Sequence, residues 1–268
     1  MFSIPFVLIL LAVWLFLIAP KNREEMGKFK SVHYAHRGLH NAERAENSMS
    51  AFKAAVDGGW GIELDIRLSK DGKLVVFHDD TLNRVCGREG KVIDFTADEL
   101  ATFKLNGTED GIPLFEDVLK MVDGRIPLLV EIKEDAGDNK VSLAACKMLD
   151  SYKGEFIVES FNPLSLKTVR ENRPSIVRGI LSQRYYEYEQ YKKPLYFLLQ
   201  SLLLNVACRP AFIAFDHKHA PRSFALKLCR KLFGVPTLAW TVRSQEEEDA
   251  AFKNGFDGII FENYIPKI

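Results

Sequence analysis

The sequence predicts an α/β protein in which eight parallel strands close into a (β/α)8 TIM barrel. After about residue 31, short runs rich in Val, Ile and Phe alternate with helical patterns, and eight such runs occur. Strands joined by helical crossovers pair in parallel, and residues 31–268 have about the length of one closed barrel. An open, doubly wound sheet is the alternative. It is disfavoured because no glycine-rich nucleotide loop follows the first strand.

The predicted strands and helices alternate along the chain. The strands are 32–36, 62–67, 128–133, 156–161, 176–182, 212–216, 237–242 and 258–262. The clearest helices are 47–57, 141–152, 163–172, 222–233 and 245–254. Asn162 followed by Pro163 is a favourable helix start, and Gly234 and Gly255 are favourable stops.

The second predicted strand leads into a β-hairpin, because Asp71-Gly72 is a strong turn signal. Folding the chain about this dipeptide places Asp65 opposite His78. Residues 79–116 then follow without a clear period and with several glycines, which predicts a loop insertion at the rim of the barrel.

A second insertion is predicted at 183–210, where tyrosines and lysines precede a leucine-rich run that is too short to span a bilayer. One interpretation is a helix packed on the barrel. The other is a segment, 185–207, that lies at a membrane interface, and the tyrosines and lysines favour it.

Composition excludes several classes of protein. The 36 basic and 36 acidic residues balance, so no net positive charge favours nucleic acid as a partner. The four cysteines show no CxxC pairing, which argues against a disulfide framework and against a zinc site.

The N-terminus predicts a membrane anchor. Residues 2–19 are almost wholly apolar and carry no charge, so 1–20 is predicted as a single transmembrane helix. A cleaved signal peptide is the alternative, but no basic residue precedes the apolar run. Residues 21–30 are predicted as a basic juxtamembrane linker, and residues 31–268 as the catalytic domain. The basic charge of the linker predicts that the catalytic domain lies on the cytoplasmic side.

Charged residues collect where the predicted strands end, which is where barrel enzymes carry their chemistry. Glu63 and Asp65 alternate on the second strand, and Glu131 lies near the end of the next strand after the insertion. Acids on a single hairpin usually mark a solvated face. Their occurrence together with the residues below favours a site in which three carboxylates hold one divalent cation, Ca²⁺ or Mg²⁺.

The remaining candidates suit a phosphoryl group. Arg37 and Lys133 would neutralise charge on phosphoryl oxygens, and His36 and His78 would act as acid and base. Two aromatic side chains would form an apolar wall against the carbon chain of the substrate, namely Phe161 and Trp240. The reaction class that this set indicates is phosphodiester cleavage.

Five motifs resemble those of the glycerophosphodiester phosphodiesterases. In order, they are AHRGLHNAERAENSMSAF from Ala35, GIELDIRLSKDGKLVVFHDDTLNR from Gly61, VEIKE from Val130, ESFNP from Glu159 and AWTVR from Ala239. The resemblance covers nearly all of the chain after the apolar N-terminus and is weakest over 183–210.

The resemblance implies a barrel of the phosphatidylinositol-phospholipase-C-like kind that hydrolyses glycerophosphodiesters to glycerol 3-phosphate and an alcohol. It implies metal binding by the acids and acid–base work by the histidines named above. It also implies that Glu46 supports His36 and Arg37, while it assigns no role to Glu262. Two alternatives stay open: cleavage of membrane lysophospholipids, as by a lysophospholipase D, and a module that binds phosphodiesters without catalysis.

Overall fold

The computed structural model describes residues 4–21, 24–135 and 137–267, and its core is a closed barrel. Eight strands pair in parallel, and the first strand pairs with both the second and the last. The barrel strands are β1 (His33–Ala35), β2 (Gly61–Leu68), β4 (Leu128–Ile132), β5 (Phe156–Ser160), β6 (Arg178–Ser182), β7 (Phe212–Asp216), β8 (Thr237–Val242) and β9 (Gly258–Phe261). A ninth strand, β3 (Leu74–Val76), pairs antiparallel with β2. The predicted barrel is therefore confirmed.

Helices cover the outside of the barrel. They are α1 (Ile4–Ile18), α2 (Met49–Asp57), α3 (Asn83–Cys86), α4 (Ala97–Ala101), α5 (Phe115–Val122), α6 (Lys140–Leu149), α7 (Pro163–Asn172), α8 (Pro194–Gln200), α9 (Asn205–Cys208), α10 (Phe224–Phe233) and α11 (Gln245–Lys253). Helix α5, which the sequence analysis did not predict, buries Phe115, Val118, Leu119 and Val122 on one face. It is the crossover that returns the chain from the hairpin to β4.

The β2–β3 hairpin exists, but its predicted register is wrong by one residue. Arg67 lies opposite Val75, and the Phe77 amide bonds to the Asp65 carbonyl, so His78 is not opposite Asp65. The loop is longer than a two-residue turn because the Ser69 amide bonds to the Lys73 carbonyl. Three residues therefore form the turn, the third of them a glycine with positive φ.

The insertion over 79–116 is a compact unit with its own core. Short helices and one 3-10 turn (Val92–Asp94) pack around apolar side chains that include Phe77, Leu100 and Leu105, which are nearly or fully buried. The unit covers one side of the rim, beside the end of the β2–β3 hairpin. It is thus a packed wall rather than an extended loop.

The N-terminal apolar segment forms α1, but the transmembrane prediction over 1–20 is not supported. Among the residues that the structure describes, no helix combines the length and the apolar character needed to cross a bilayer. The 15 residues of α1 reach about 22 Å at 1.5 Å per residue, which is less than the hydrocarbon core of a bilayer. Residues 1–3 of the predicted anchor lie outside the described residues.

Residues 24–29, which the sequence predicts as part of a linker, belong to the barrel. They form a 3-10 helix that buries Met26 and Phe29 among the interior side chains, so they close the end where the strands begin. Lys28 and Lys30 pair with Glu155 and Asp257 at 2.7 and 4.0 Å.

The C-terminal end of α1 is fixed to the barrel wall. Arg209 Nη1 donates to the carbonyls of Phe16 and Ala19 at 2.7 and 3.0 Å, and Asn205 Nδ2 donates to the Ile18 carbonyl at 3.1 Å. These donors satisfy carbonyls that a helix end leaves free. The second insertion, which contains Asn205, therefore holds the N-terminal helix in place.

Gly179 should be intolerant of any side chain. A Cβ built there would lie 2.2 Å from ring carbons of Phe212, its neighbour across β6 and β7 inside the barrel. We expect Gly179→Ala to lower the free energy of unfolding by about 1–3 kcal/mol, because overpacking forces neighbours to move. The measurement is urea unfolding. Gly27→Ala is the matched control, since a Cβ at Gly27 meets nothing within 4 Å. An unchanged midpoint for Gly179→Ala would contradict this account.

Candidate active site at the carboxyl ends of the barrel strands

Three acids converge inside the carboxyl end of the barrel. Asp65 and Glu131 are register partners on β2 and β4, and Glu63 precedes Asp65 by two residues, so all three point inward. Ligand oxygens of the three lie within 4.8 Å of one another. Their exposed fractions are 2%, 1% and 6% for Glu63, Asp65 and Glu131. Three carboxylates are therefore buried in a space that one ion could fill.

Two cations lie against these acids. Lys133 Nζ is 2.7 Å from Glu131 Oε1 and 3.2 Å from Asp65 Oδ1. The Arg37 amide donates to Glu63 Oε2 at 2.9 Å, and its Nε lies 3.5 Å from Asp65 Oδ2. The sequence-predicted cations and acids thus form one charged cluster.

The acids do not all ionise on their own. Burial, reinforced by the charges of Asp65 and Glu131, raises the pKa of Glu63 well above its ordinary value. Burial and the charge of Asp65 also raise the pKa of Glu131. Although burial opposes it, the charge of Lys133 holds the pKa of Asp65 well below its usual range. Hard oxygen donors that need further positive charge fit a divalent cation.

His36 is oriented by Glu262. Its Nδ1 lies 2.5 Å from Glu262 Oε2, and Glu262 also accepts from Arg243 Nε at 2.6 Å. Although burial opposes it, bonds from His36 and His40 lower the pKa of Glu262, so that carboxylate is ionised. An ionised carboxylate only accepts, so Nδ1 carries the hydrogen, and Nε2 is directed to the acids, 4.0 Å from Glu63. Glu262, whose role the sequence left open, is therefore the partner of His36.

These residues also form a second possible metal group, since ligand atoms of His36, His40 and Glu262 lie within 4.8 Å of one another. The His36 nitrogen nearest to Glu262 is already used in its hydrogen bond. The group of three acids offers only carboxylate oxygens, the donors that Ca²⁺ and Mg²⁺ prefer, so it is the better ion site.

His78 belongs to a chain of charged bonds that returns to Arg37. Its Nδ1 is 2.6 Å from Asp79 Oδ1, and Arg84 Nε donates to Asp79 Oδ2 at 2.7 Å. Arg84 also donates two bonds to Glu46, at 2.7 and 2.8 Å, and Glu46 accepts from Arg37 Nη1 at 2.6 Å. The insertion thereby connects His78 to Arg37, the candidate for phosphate binding.

Burial favours the neutral form of both imidazoles. Burial lowers the pKa of His36, and burial with the positive charges of Lys133 and Arg37 lowers that of His78 to about 4. The negative charge of Asp65 raises both values in part, which places both rings within the field of the same acid. A neutral imidazole with a free Nε2 can accept a proton.

The two predicted aromatic residues meet beside the cluster. Phe161 and Trp240 pack edge to face with ring centroids 5.5 Å apart, and Lys133 Nζ lies 5.8 Å from the centre of the Phe161 ring. They form an apolar wall next to the charged groups.

Besides His40 and Arg243, described above, four further contributing residues were not assigned from the sequence. Asn47 Nδ2 donates to Asp65 Oδ2 at 2.8 Å, and Asp79 and Arg84 hold His78 as described. Glu159, the register partner of Glu131, is buried, and burial with the charges of Glu63 and Glu131 raises its pKa well above the ordinary range. All four residues lie inside the sequence motifs that carry the family resemblance. Their position in these motifs is the sequence feature from which they could have been identified.

Comparisons with known proteins identify the family of the chain. Residues 36–265 match the glycerophosphoryl diester phosphodiesterase family. A glycerophosphodiester phosphodiesterase of Caldanaerobacter subterraneus subsp. tengcongensis is 32% identical over 250 residues, which are 86% of this chain and 93% of the relative. A lysophospholipase D of Rattus norvegicus is 26% identical and covers 89% of this chain and 85% of its own length.

Solved structures are also similar. A glycerophosphodiester phosphodiesterase from Thermotoga maritima has a TM-score of 0.66 at 28% identity and covers 86% of this chain and 94% of its own. A phosphodiesterase from Oleispira antarctica, solved with the product sn-glycerol-3-phosphate, has a TM-score of 0.72 at 21% identity and covers 87% and 94%. The chain therefore belongs to the glycerophosphoryl diester phosphodiesterase family and is a phosphoric diester hydrolase.

Proposed function

We propose that this enzyme hydrolyses glycerophosphodiesters to sn-glycerol 3-phosphate and an alcohol with the help of one divalent cation, Ca²⁺ or Mg²⁺. The observation that carries the proposal is the buried trio of Glu63, Asp65 and Glu131, whose oxygens lie within 4.8 Å of one another. The relative from Caldanaerobacter, named a glycerophosphodiester phosphodiesterase, supports the substrate class. A Ca²⁺ or Mg²⁺ ion suits this all-oxygen donor set.

The residues have distinct roles in this proposal. The three acids hold the cation, which supplies positive charge to the phosphoryl oxygens when it is bound. Arg37 and Lys133 stabilise the charge that builds on those oxygens during the reaction. Because both cations already lie against the acids, they need little movement to reach a phosphate placed there.

The two histidines move the protons. Each has Nδ1 bonded to a carboxylate, Glu262 for His36 and Asp79 for His78, which leaves Nε2 for the substrate. One imidazole removes the proton of the nucleophile, and the other, once protonated, delivers a proton to the leaving alcohol. The nucleophile is either water or the glycerol 2-hydroxyl, which would give a cyclic phosphate that water then opens.

We further propose that α1 attaches the enzyme to a membrane with the barrel on the cytoplasmic side. Every residue from 4 to 13 is exposed although all are apolar, including Ile4 at 78% and Ile9 at 60%. An exposed helix without a polar face needs an apolar environment. The cytoplasmic side is proposed from the sequence alone, in which Lys21, Arg23, Lys28 and Lys30 follow the apolar run.

Metal dependence is directly testable. We expect EDTA to abolish release of choline from glycerophosphocholine and Ca²⁺ or Mg²⁺ to restore it. Glu131→Gln should weaken metal binding, measured by titration calorimetry, by at least the ~100-fold that loss of a residue supporting a metal ligand can cause. The matched control is Glu116→Gln, an exposed carboxylate on α5. Full activity of the wild-type enzyme in EDTA would contradict the cation site.

The acid–base assignment predicts large losses. His36→Ala and His78→Ala should each lower kcat by about 10²–10⁴, the usual contribution of a positioned proton-transfer group. His33→Ala serves as the control, because His33 begins β1 at the other end of the strand and pairs with Glu248. The measurement is kcat from steady-state kinetics on correctly folded variants. Wild-type protein that binds phosphodiesters without any turnover would instead favour the non-catalytic module.

Membrane attachment by α1 can be measured by flotation with phosphatidylcholine–phosphatidylglycerol vesicles. We expect the wild-type protein to float and the double variant Leu8→Asp, Leu11→Asp to stay in solution, since each aspartate costs about 2.5–3.5 kcal/mol in the hydrocarbon. Leu232→Asp is the control, because Leu232 is a comparably exposed leucine on α10. If the double variant floats as well as the wild type, α1 is not the attachment.

A further inference from the structure

An apolar cavity lies next to the apolar wall that Phe161 and Trp240 form beside the charged groups. It has a volume of about 510 Å³ and lies between the turn that follows β5 and the second insertion. Phe161 lines it, and the same ring packs against Trp240 and lies 5.8 Å from Lys133 Nζ. The cavity therefore borders the place where the proposed function puts the phosphate.

The walls of the cavity suit hydrocarbon. Tyr185, Tyr191 and Tyr196 pack on one another with ring centroids 4.7–5.6 Å apart, and Leu195 and Leu199 lie beside them. Polar side chains are a minority of the lining. A cavity of this size, lined mainly by aromatic and aliphatic groups, is typical of sites for small apolar ligands.

Helix α8 separates this cavity from the N-terminal helix. Its Leu195 and Leu199 line the cavity, while its Phe197 lines a groove that Trp14 of α1 also borders. Leu195 and Phe197 are 54% and 48% exposed. The outer wall of the cavity thus continues into exposed apolar surface on the side where α1 lies.

Helix α1 projects beyond the catalytic end of the barrel. Trp14 stacks on Phe224 at 5.8 Å, and Phe224 begins α10 just after the loop that follows β7. Ile18 lies further from that end, where its carbonyl accepts from Asn205. Residues 4–13, all exposed, precede Trp14 and extend about 15 Å at 1.5 Å per residue. The apolar helix and the catalytic mouth therefore face the same way.

We propose that this cavity binds the hydrocarbon chain of a single-chain glycerophospholipid, a lysophospholipid, whose phosphodiester lies at the three acids. The inference rests on the proposed function, because it assigns the chain to the glycerol side of the same substrate. Water supplies an oxygen to phosphorus, the bond from phosphorus to the head-group alcohol breaks, and that alcohol leaves with a proton. The phosphate stays on the glycerol that carries the chain.

The experiment compares soluble substrates of increasing chain length below their aggregation concentration, so that vesicle binding plays no part. The series is glycerophosphocholine followed by lysophosphatidylcholines with chains of about four to ten carbons. For the wild-type enzyme we expect kcat/KM for choline release to rise about four-fold per buried methylene, which corresponds to about 0.8 kcal/mol.

Two matched variants locate the effect. Leu195→Glu places a carboxylate in the cavity wall and should lower kcat/KM at least ten-fold for the longest chain, while glycerophosphocholine is cleaved as by the wild type. Leu232→Glu makes the same change at a leucine of equal exposure, 53% against 54%, that does not line the cavity. It should leave both substrates unaffected.

The outcomes separate this inference from the proposed function. A flat chain-length profile on an enzyme that cleaves glycerophosphocholine overturns the chain site alone. Equal losses on both substrates in Leu195→Glu, or the same selective loss in Leu232→Glu, also overturn it. Failure to cleave glycerophosphocholine and every lysolipid in the presence of Ca²⁺ or Mg²⁺ overturns the proposed function and the chain site with it.

Discussion

The rest of the molecule depends on one electrostatic constraint, the confinement of three carboxylates within 4.8 Å of one another inside a barrel. Such a group is unstable unless positive charge is brought to it, because burial penalises each ionised oxygen. Lys133 and Arg37 supply part of that charge. The remaining negative charge is what makes the centre suited to a divalent cation. A cation bound there would in turn attract the negatively charged oxygens of a phosphate.

Strand register and one unusual backbone conformation position these charged groups. Strand register sets Asp65 beside Glu131, and Arg37 adopts a left-handed backbone conformation, φ 55°, that turns its amide to Glu63. A non-glycine residue at positive φ is strained, and such strain is commonly kept at functional sites. Around this centre a second set of carboxylates, on Glu46, Asp79 and Glu262, orients the guanidinium and imidazole groups. Charge therefore alternates outward from the centre.

The barrel and most of its strands could be predicted because the apolar runs, caps and stops agree with one another. The hairpin register could not, since it depends on a backbone bond between Ser69 and Lys73 that turn composition does not specify. Helix α5 had a readable period, from Phe115 to Val122, but followed an irregular stretch. Contacts such as Arg84 with Glu46 join segments 38 residues apart and have no local signal.

The buried floor of the barrel has a practical consequence for anyone who shortens this protein for crystallography. Cutting at the apparent boundary near residue 31 would delete Met26 and Phe29 and open the interior from below. A shortened chain that begins at about residue 24 keeps Met26 and Phe29 at the closed end of the barrel and lacks the hydrophobic N-terminus. Removal of α1 would expose Arg209, which binds backbone carbonyls of α1, and the ring face of Phe224, on which Trp14 stacks. Substitution of these two residues by smaller polar ones therefore belongs in the same design.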